Sequence, residues 1–209
     1  MKKLLIITGP QGSGNHLWSK ILAMHPAVDG WVMADYWEGH HQEPFNSFWQ
    51  DPTKFENAEF DRDNYVTSIS SPYYKDKTPH RPDYKTFIEK AKDVFNVKTC
   101  IIGRDINIVK SQQQRVRGEV TLDVEDFKTI EHPFFISTEL LFLYGEDYLK
   151  CLSNQLDFPI AYNHATRLID ILKKDANKKY IKDVEDQKLD DIIRAVSYTH
   201  LTLPTICSV

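Results

Sequence analysis

The sequence predicts an α/β fold in which a parallel β-sheet of about four to five strands carries helices on both faces. Short apolar runs alternate with segments of helical periodicity, and parallel strands need connections of that length between them. The first apolar run enters a glycine-rich turn, and a helical pattern follows at once. The 209 residues, 41% of them hydrophobic, suffice for one sizeable core. We therefore expect residues 1–196 to form one domain.

The strands are predicted from apolar runs. Residues 2–8 (KKLLIIT), 65–70 (YVTSIS) and 97–103 (VKTCIIG) each have the pattern of a buried strand. Residues 158–162 (FPIAY) are predicted to form a short fourth strand. Because these strands are joined through helices, we expect their carboxyl ends to share one edge of the sheet, where ligands of such folds bind.

The helices are predicted from apolar residues at helical spacing. One runs over residues 15–25 until Pro26 stops it, and another follows Asp83, which is expected to be its N-cap. A third helix begins after Arg104, and a long one covers residues 137–154. Two further helical stretches follow the predicted fourth strand.

Residues 9–16 (GPQGSGNH) have the layout of a P-loop, a glycine loop between a strand and a helix. Gly9 and Gly14 match the glycines of the pattern G-x-x-x-x-G-K-S/T, whereas Asn15 and His16 stand where lysine and Ser/Thr are expected. Backbone N–H groups of such a turn and of a helix N-terminus converge on an anion. The predicted contacts come from Gln11, Gly12, Ser13, Gly14, Asn15 and His16. The alternative is a purely structural turn.

The loop lacks the lysine that usually supplies its positive charge. His16 could partly replace that charge when protonated, and Lys20 follows four residues later on the same helix face. The alternative for His16 is an ordinary surface histidine.

A second pattern, residues 100–118 (CIIGRDINIVKSQQQRVRG), places Arg104 at the end of a buried strand and Ser111 two turns along the following helix. Arginine binds phosphate through two parallel hydrogen bonds, and a serine hydroxyl can add another donor. Both residues are therefore candidate phosphate ligands. The alternative is a helix start in which an Arg-Asp pair forms a cap beside a solvated neighbour.

These two patterns, in this order, resemble the sulfotransferase superfamily. GPQGSGNH aligns with the first family motif through Gly9, Pro10, Gln11, Ser13 and Gly14, and GRDINIVKS aligns with the second through Arg104 and Ser111. The resemblance spans about residues 3–180. It implies 3′-phosphoadenosine 5′-phosphosulfate (PAPS) as co-substrate, with its phosphosulfate on the first motif, its 3′-phosphate on the second, and no metal.

The sequence departs from the family pattern at several positions. The lysine of the first motif, which neutralises charge on the bridging oxygen, falls at Gly12. The proline of Arg-x-Pro is replaced by Ile106, and the interval from Arg104 to Ser111 is one residue short. Ser70 stands near the place of the histidine base of cytosolic members. The late Arg-Lys-Gly motif has no match.

Residues 35–43 (DYWEGHHQE) offer a candidate catalytic base for an acceptor hydroxyl, either Glu38 or His40. A polar surface loop without chemistry is the competing interpretation. A metal site from Asp35, His40 and His41 is disfavoured because adjacent histidines point apart in regular structure.

The leading interpretation is a sulfotransferase that moves a sulfuryl group from PAPS to a hydroxyl or amine of a small molecule or glycan. One alternative is a kinase-like nucleotide- or phosphate-binding protein that has lost hydrolysis with its lysine. Another is a non-catalytic interaction protein whose surface is aromatic. The residues of that surface would be Trp31, Tyr36, Trp37, Phe45, Phe48 and Trp49.

Composition limits the partners and the compartment. A net charge of −4 argues against nucleic acid or an anionic membrane as partner. Three widely spaced cysteines and the lack of a long apolar run favour a cytoplasmic protein. Residues 197–209 contain SYTHLTLPTI, which resembles translated sequencing adapter, and we expect this tail to be non-native.

Overall fold

The computed structural model describes residues 1–30, 45–75, 78–121 and 124–174. Its helices and strands, in chain order, are β1 (Lys3–Pro10), α1 (Asn15–Leu22), β2 (Val28–Asp29), α2 (Asn46–Gln50), β3 (Asn64–Ser71), β4 (Tyr73–Lys75), β5 (Thr78–His80), α3 (Tyr84–Lys92), β6 (Asn96–Gly103), α4 (Ile106–Arg117), β7 (Phe134–Ser137), α5 (Thr138–Leu156) and α6 (Ala165–Lys174). Two 3-10 helices cover Pro52–Asn57 and Glu125–Phe127. The predicted tail, residues 197–209, lies outside the described residues.

The main sheet has five strands in the order β2–β3–β1–β6–β7, and every neighbouring pair is parallel. The first strand is therefore central, flanked by β3 and β6. It is almost fully buried because its residues between Lys3 and Pro10 are covered on both faces. Strands β4 and β5 form a separate antiparallel pair. The predicted α/β class with a parallel sheet of four to five strands is confirmed.

Two hydrophobic cores lie on opposite faces of the sheet, because successive side chains of a strand point to opposite faces. Leu5 and Ile7 of β1 pack with apolar residues of α1, α5 and α6. Leu4 and Ile6 pack on the other face with α3 and with the aromatic residues around α2. Each fully buried Leu or Ile contributes roughly 1.5–3 kcal/mol relative to exposure. Helices thus cover both faces, as predicted.

The strand predicted over residues 158–162 is wrong. Phe158 and Ile160 are buried in the core of the α1 face, but this segment has no strand conformation. Its backbone bonds locally, with the Phe158 N–H donating to the Ser153 carbonyl at the end of α5. Pro159 also lacks the N–H that a strand ladder needs. The place beside β6 is taken instead by β7, a short strand that was not among those predicted.

The helices agree with the sequence prediction in position but differ in detail. The Asp83 side chain caps α3 by accepting from the Thr86 N–H at 3.1 Å, as predicted. Helix α1 ends at Leu22, earlier than predicted. Helix α5 bends at Gly145, where φ is 49° and ψ is −116°, so the predicted long helix is interrupted. Among the described helices none is both long and apolar enough to cross a membrane.

Candidate anion-binding site

The glycine loop and Arg104 meet at the carboxyl edge of the sheet. Strand β1 ends at Pro10 and its parallel neighbour β6 ends at Gly103, so the segments that follow them are adjacent. Nη1 of Arg104 lies 3.2 Å from the carbonyl oxygen of Gly12 and donates to it. The chain leaves β1 for β3 on one side and later returns to β6 on the other. Ligands of open α/β sheets bind at such a switch in strand order.

Two glycines give the loop its shape. Gly12 has φ of 92° and Gly14 has φ of 109°, a region that residues with a side chain rarely adopt. A Cβ atom on Gly12 would also lie 2.8 Å from Oε1 of Gln112, and one on Gly14 would lie 3.2 Å from Oγ1 of Thr138. A side chain at either position would therefore be strained by the backbone conformation and would displace a neighbouring side chain.

Successive carbonyl groups of the loop are held by donors from other parts of the fold. Nε2 of Gln113 donates to the Gln11 carbonyl at 2.7 Å, and Nη1 of Arg104 donates to the Gly12 carbonyl at 3.2 Å. Oγ1 of Thr138 donates to the Ser13 carbonyl at 2.9 Å, and the Trp18 N–H donates to the Gly14 carbonyl at 3.0 Å. These donors come from α4, from the turn after β6, from α5 and from α1. The loop is therefore fixed in one conformation from several sides.

Holding the carbonyls also orients the amides. In a trans peptide the C=O of one residue and the N–H of the next point in opposite directions. The N–H groups of Gly12, Gly14 and Asn15 therefore point away from the donors that hold the preceding carbonyls. Within the described ranges, none of these three N–H groups has a hydrogen-bond acceptor. Together with the positive end of α1 they form a site suited to an anion.

The side chain of Asn15, at the usual lysine position, braces the loop. Its Nδ2 donates to the carbonyls of Gly9 and Pro10, at 3.2 and 3.4 Å, and to Oγ of Ser70 at 3.0 Å. The last of these contacts links Ser70, near the end of β3, to the loop. The structure therefore gives Asn15 a neutral, buried side chain that stabilises the turn, and its backbone N–H belongs to the candidate anion site.

The other predicted site residues are placed as follows. Ser13 is buried, and its hydroxyl donates to the Pro10 carbonyl at 2.7 Å, so this side chain also stabilises the turn. Gln11 is buried, and His16 is half-buried in the first turn of α1. Ser111 is exposed on α4, while the residues of that helix that approach the loop are Gln112 and Gln113. The phosphate contact of Ser111 therefore stays a prediction.

The candidate bases Glu38 and His40 lie outside the described residues, as do the metal-ligand candidates Asp35 and His41. The role of a base therefore stays a prediction for Glu38 and His40.

Sequence reasoning missed Gln113 and Thr138. Gln113 is buried, and besides holding Gln11 it accepts from the Thr121 N–H at 2.8 Å through Oε1. Thr138 is buried at the start of α5, and Trp18 donates to its Oγ1 through Nε1 at 3.2 Å. The sequence signal for Gln113 was its place four residues after the apolar Val109, on the same helix face.

A second polar network lies beside the loop, on the other face of the sheet. The Tyr84 hydroxyl is 2.6 Å from Oγ1 of Thr8, which donates to the Ile69 carbonyl at 2.7 Å. Burial raises the pKa of Tyr84 well above its ordinary value, although its hydrogen bonds oppose this shift. The Ser71 hydroxyl at the end of β3 donates to Asp126, which also pairs with Arg81. This network links β1, β3 and α3 next to the glycine loop.

The carboxylate of Asp105 caps α4. Its Oδ1 accepts from the N–H groups of Asn107 and Ile108, at 2.8 and 3.2 Å. The Asp105 N–H in turn donates to Oε1 of Glu139 in the first turn of α5 at 2.8 Å. The turn that carries Arg104 is thus held by two groups of Asp105: its N–H bonds to Glu139, and its carboxylate caps α4.

Comparison of the chain with protein-family models and with curated proteins gave no match. The function is therefore inferred from the loop and the groups around it.

Proposed function

We propose that the loop of residues 9–16 binds the phosphosulfate end of PAPS and that the protein transfers the sulfuryl group to a hydroxyl or amine of a small-molecule or glycan acceptor. One observation carries this proposal: the N–H groups of Gly12, Gly14 and Asn15, at and just before the first residue of α1, have no acceptor among the described residues, and Arg104 lies beside the loop. Preorganised N–H donors at a helix N-terminus are suited to an anionic ligand.

The reaction would proceed by attack of the acceptor atom on sulfur. A bond forms between the acceptor oxygen or nitrogen and sulfur, and the bond from sulfur to the bridging oxygen breaks. Its electron pair stays with the 5′-phosphate, and the acceptor proton passes to a base, for which Glu38 and His40 are the candidates. The loop amides would stabilise the negative charge that develops on the departing phosphate.

The kinase-like alternative is less well supported by the geometry. A nucleotide-hydrolysing site needs a carboxylate for magnesium, but Asp105 is engaged as the N-cap of α4. The side chain at the lysine position, Asn15, is neutral and turned toward Gly9.

The interaction-protein alternative needs exposed aromatic residues. Phe45 is only 1% exposed and Trp49 only 4%, and both pack into the core on the α3 face. Phe48 packs against the same cluster. The other three candidates, Trp31, Tyr36 and Trp37, lie outside the described residues. The part of this surface that the structure describes is therefore core.

A cytoplasmic location belongs to the same proposal. Both cysteines in the described part of the chain, Cys100 and Cys151, are free thiols, as is usual in a reducing compartment.

Calorimetric titration tests the proposal. The protein is titrated with 3′,5′-adenosine bisphosphate and, in parallel, with ATP and magnesium. We expect saturable binding of the bisphosphate and weaker binding of magnesium ATP. A preference for magnesium ATP would select the kinase-like alternative, and no binding of either ligand would leave the loop as a structural turn.

A further inference from the structure

We infer that Arg104 supplies the positive charge at the transferring end of the bound ligand, in place of the absent loop lysine, and that it does not serve the 3′-phosphate. This inference rests on the proposed function and changes the role that the sequence resemblance implies for Arg104. It assigns that arginine to the stabilisation of the leaving phosphate.

The first argument is position. The family lysine falls at Gly12, and Nη1 of Arg104 lies 3.2 Å from the carbonyl oxygen of this residue. The guanidinium is therefore next to the backbone from which the lysine side chain would start. A guanidinium has five N–H donors in a planar fork, so one arginine can hold a loop carbonyl and contact an anion at the same time.

The second argument is space. A side chain at residue 12 is strained by the φ of 92°, and its Cβ would lie 2.8 and 3.1 Å from Oε1 and Cδ of Gln112, so that side chain would have to move. The backbone at this position therefore favours glycine over a lysine. A cation from a neighbouring element can take the place of the lysine, and the turn after β6 brings Arg104 there.

The third argument compares Arg104 with the cations of α1. Lys20 lies five residues into α1 from Asn15, about 7 Å along the helix from its first residue. His16 lies in the first turn, but a histidine changes its charge within the physiological pH range. Arginine stays charged throughout that range. Arg104 therefore provides a constant charge at a measured distance from the loop.

A pair of ligands that differ only in the 3′-phosphate distinguishes the two roles of Arg104. These ligands are adenosine 5′-phosphosulfate and PAPS, and both carry the transferring phosphosulfate end. Their dissociation constants are measured by calorimetry, without acceptor, for the wild type and for Arg104→Gln. Binding is thus read without any dependence on turnover.

The expected result is an equal loss of affinity for both ligands. If Arg104 contacts the phosphosulfate end, Arg104→Gln weakens both ligands by the same factor, at least about tenfold for a charge-assisted contact. If the loss is confined to PAPS, Arg104 serves the 3′-phosphate, so the inference fails while the proposed function stands. Unchanged affinity for both ligands also overturns the inference. If the wild type binds neither ligand, the proposed function itself fails.

Two further variants control for folding and for general electrostatics. Arg115→Gln removes the same charge from the exposed side of α4 and is expected to change both affinities less than threefold. Arg104→Lys keeps the charge but loses the fork, and it should recover part of the affinity of Arg104→Gln for both ligands. Thermal unfolding monitored by circular dichroism verifies that each variant is folded at the titration temperature. Recovery of affinity by Arg104→Lys for PAPS alone would contradict the inference.

Discussion

Replacing Thr138 with valine removes a hydroxyl that holds the glycine loop while keeping the size of the side chain. This hydroxyl donates to the Ser13 carbonyl at 2.9 Å and accepts from Nε1 of Trp18 at 3.2 Å. All three residues are at most 1% exposed, so water cannot easily replace either partner. Each lost hydrogen bond costs about 0.5–1.5 kcal/mol, and leaving the partners buried and unsatisfied adds to this. We therefore expect a loss of about 2–3 kcal/mol in the free energy of unfolding.

For a chain of this size, such a loss corresponds to a fall in Tm of about 4–12 °C. Urea and thermal unfolding followed by circular dichroism measure it, with Thr138→Ser as the matched control because serine keeps the hydroxyl. The valine variant should also bind 3′,5′-adenosine bisphosphate more weakly, since the Ser13–Gly14 peptide is no longer fixed. If Thr138→Val is as stable as the wild type, or if serine is as harmful as valine, the hydroxyl does not hold the loop.

Three further predictions concern other residues of the sheet edge and the core. Gly12→Lys should lower the free energy of unfolding by about 1–2 kcal/mol, because residue 12 has a positive φ and a Cβ there would contact Gln112. In a single-turnover assay this variant should not raise the turnover of PAPS. Higher turnover would show that the loop accepts a side chain. Tyr84→Phe loses the contact with Thr8 and should cost about 1 kcal/mol in urea unfolding, so an unchanged midpoint would contradict the role given to this network. Burial raises the pKa of the Cys100 thiol from 9.0 to about 12, so the unfolded state loses this proton first and stability should fall as pH rises above 9. The free energy of unfolding should fall between pH 8 and pH 9.5 in the wild type, and it should fall less in Cys100→Val. An equal fall in the two proteins would refute this role of Cys100.

The fold was largely predictable because its central elements have strong local patterns. Strand β1 is a continuous apolar run, and α3 begins at a capping aspartate, so both were identified from sequence. The weaker elements were not. Strand β7 (FFIS) has only four residues and precedes α5 directly, so its apolar run is too short to distinguish from the approach to that helix. Residues 158–162 are apolar enough for a strand, but they are buried by helix packing.

The site was only partly predictable, for a different reason. Gly12, Gly14 and Arg104 belong to local patterns, and the parallel pairing of β1 with β6 brings them together. Gln113 and Thr138 hold the loop carbonyls from positions about 100 residues or more away along the chain. No spacing within the loop encodes such contacts, because they arise only when the helices pack against the sheet. The neutral bracing role of Asn15 likewise depends on where β1 ends.

Backbone amide NMR tests the central claim of this account most directly, since the claim is that particular N–H groups of the loop bind an anion. Spectra of ¹⁵N-labelled protein are recorded during titration with 3′,5′-adenosine bisphosphate. The amide signals of Gly12, Gly14 and Asn15 should move together and saturate. Those of Gly118, at the end of α4, and Gly145, in α5, should stay in place as internal controls. If the bisphosphate binds while the three loop amides do not move, the anion is held elsewhere and the loop is a structural turn.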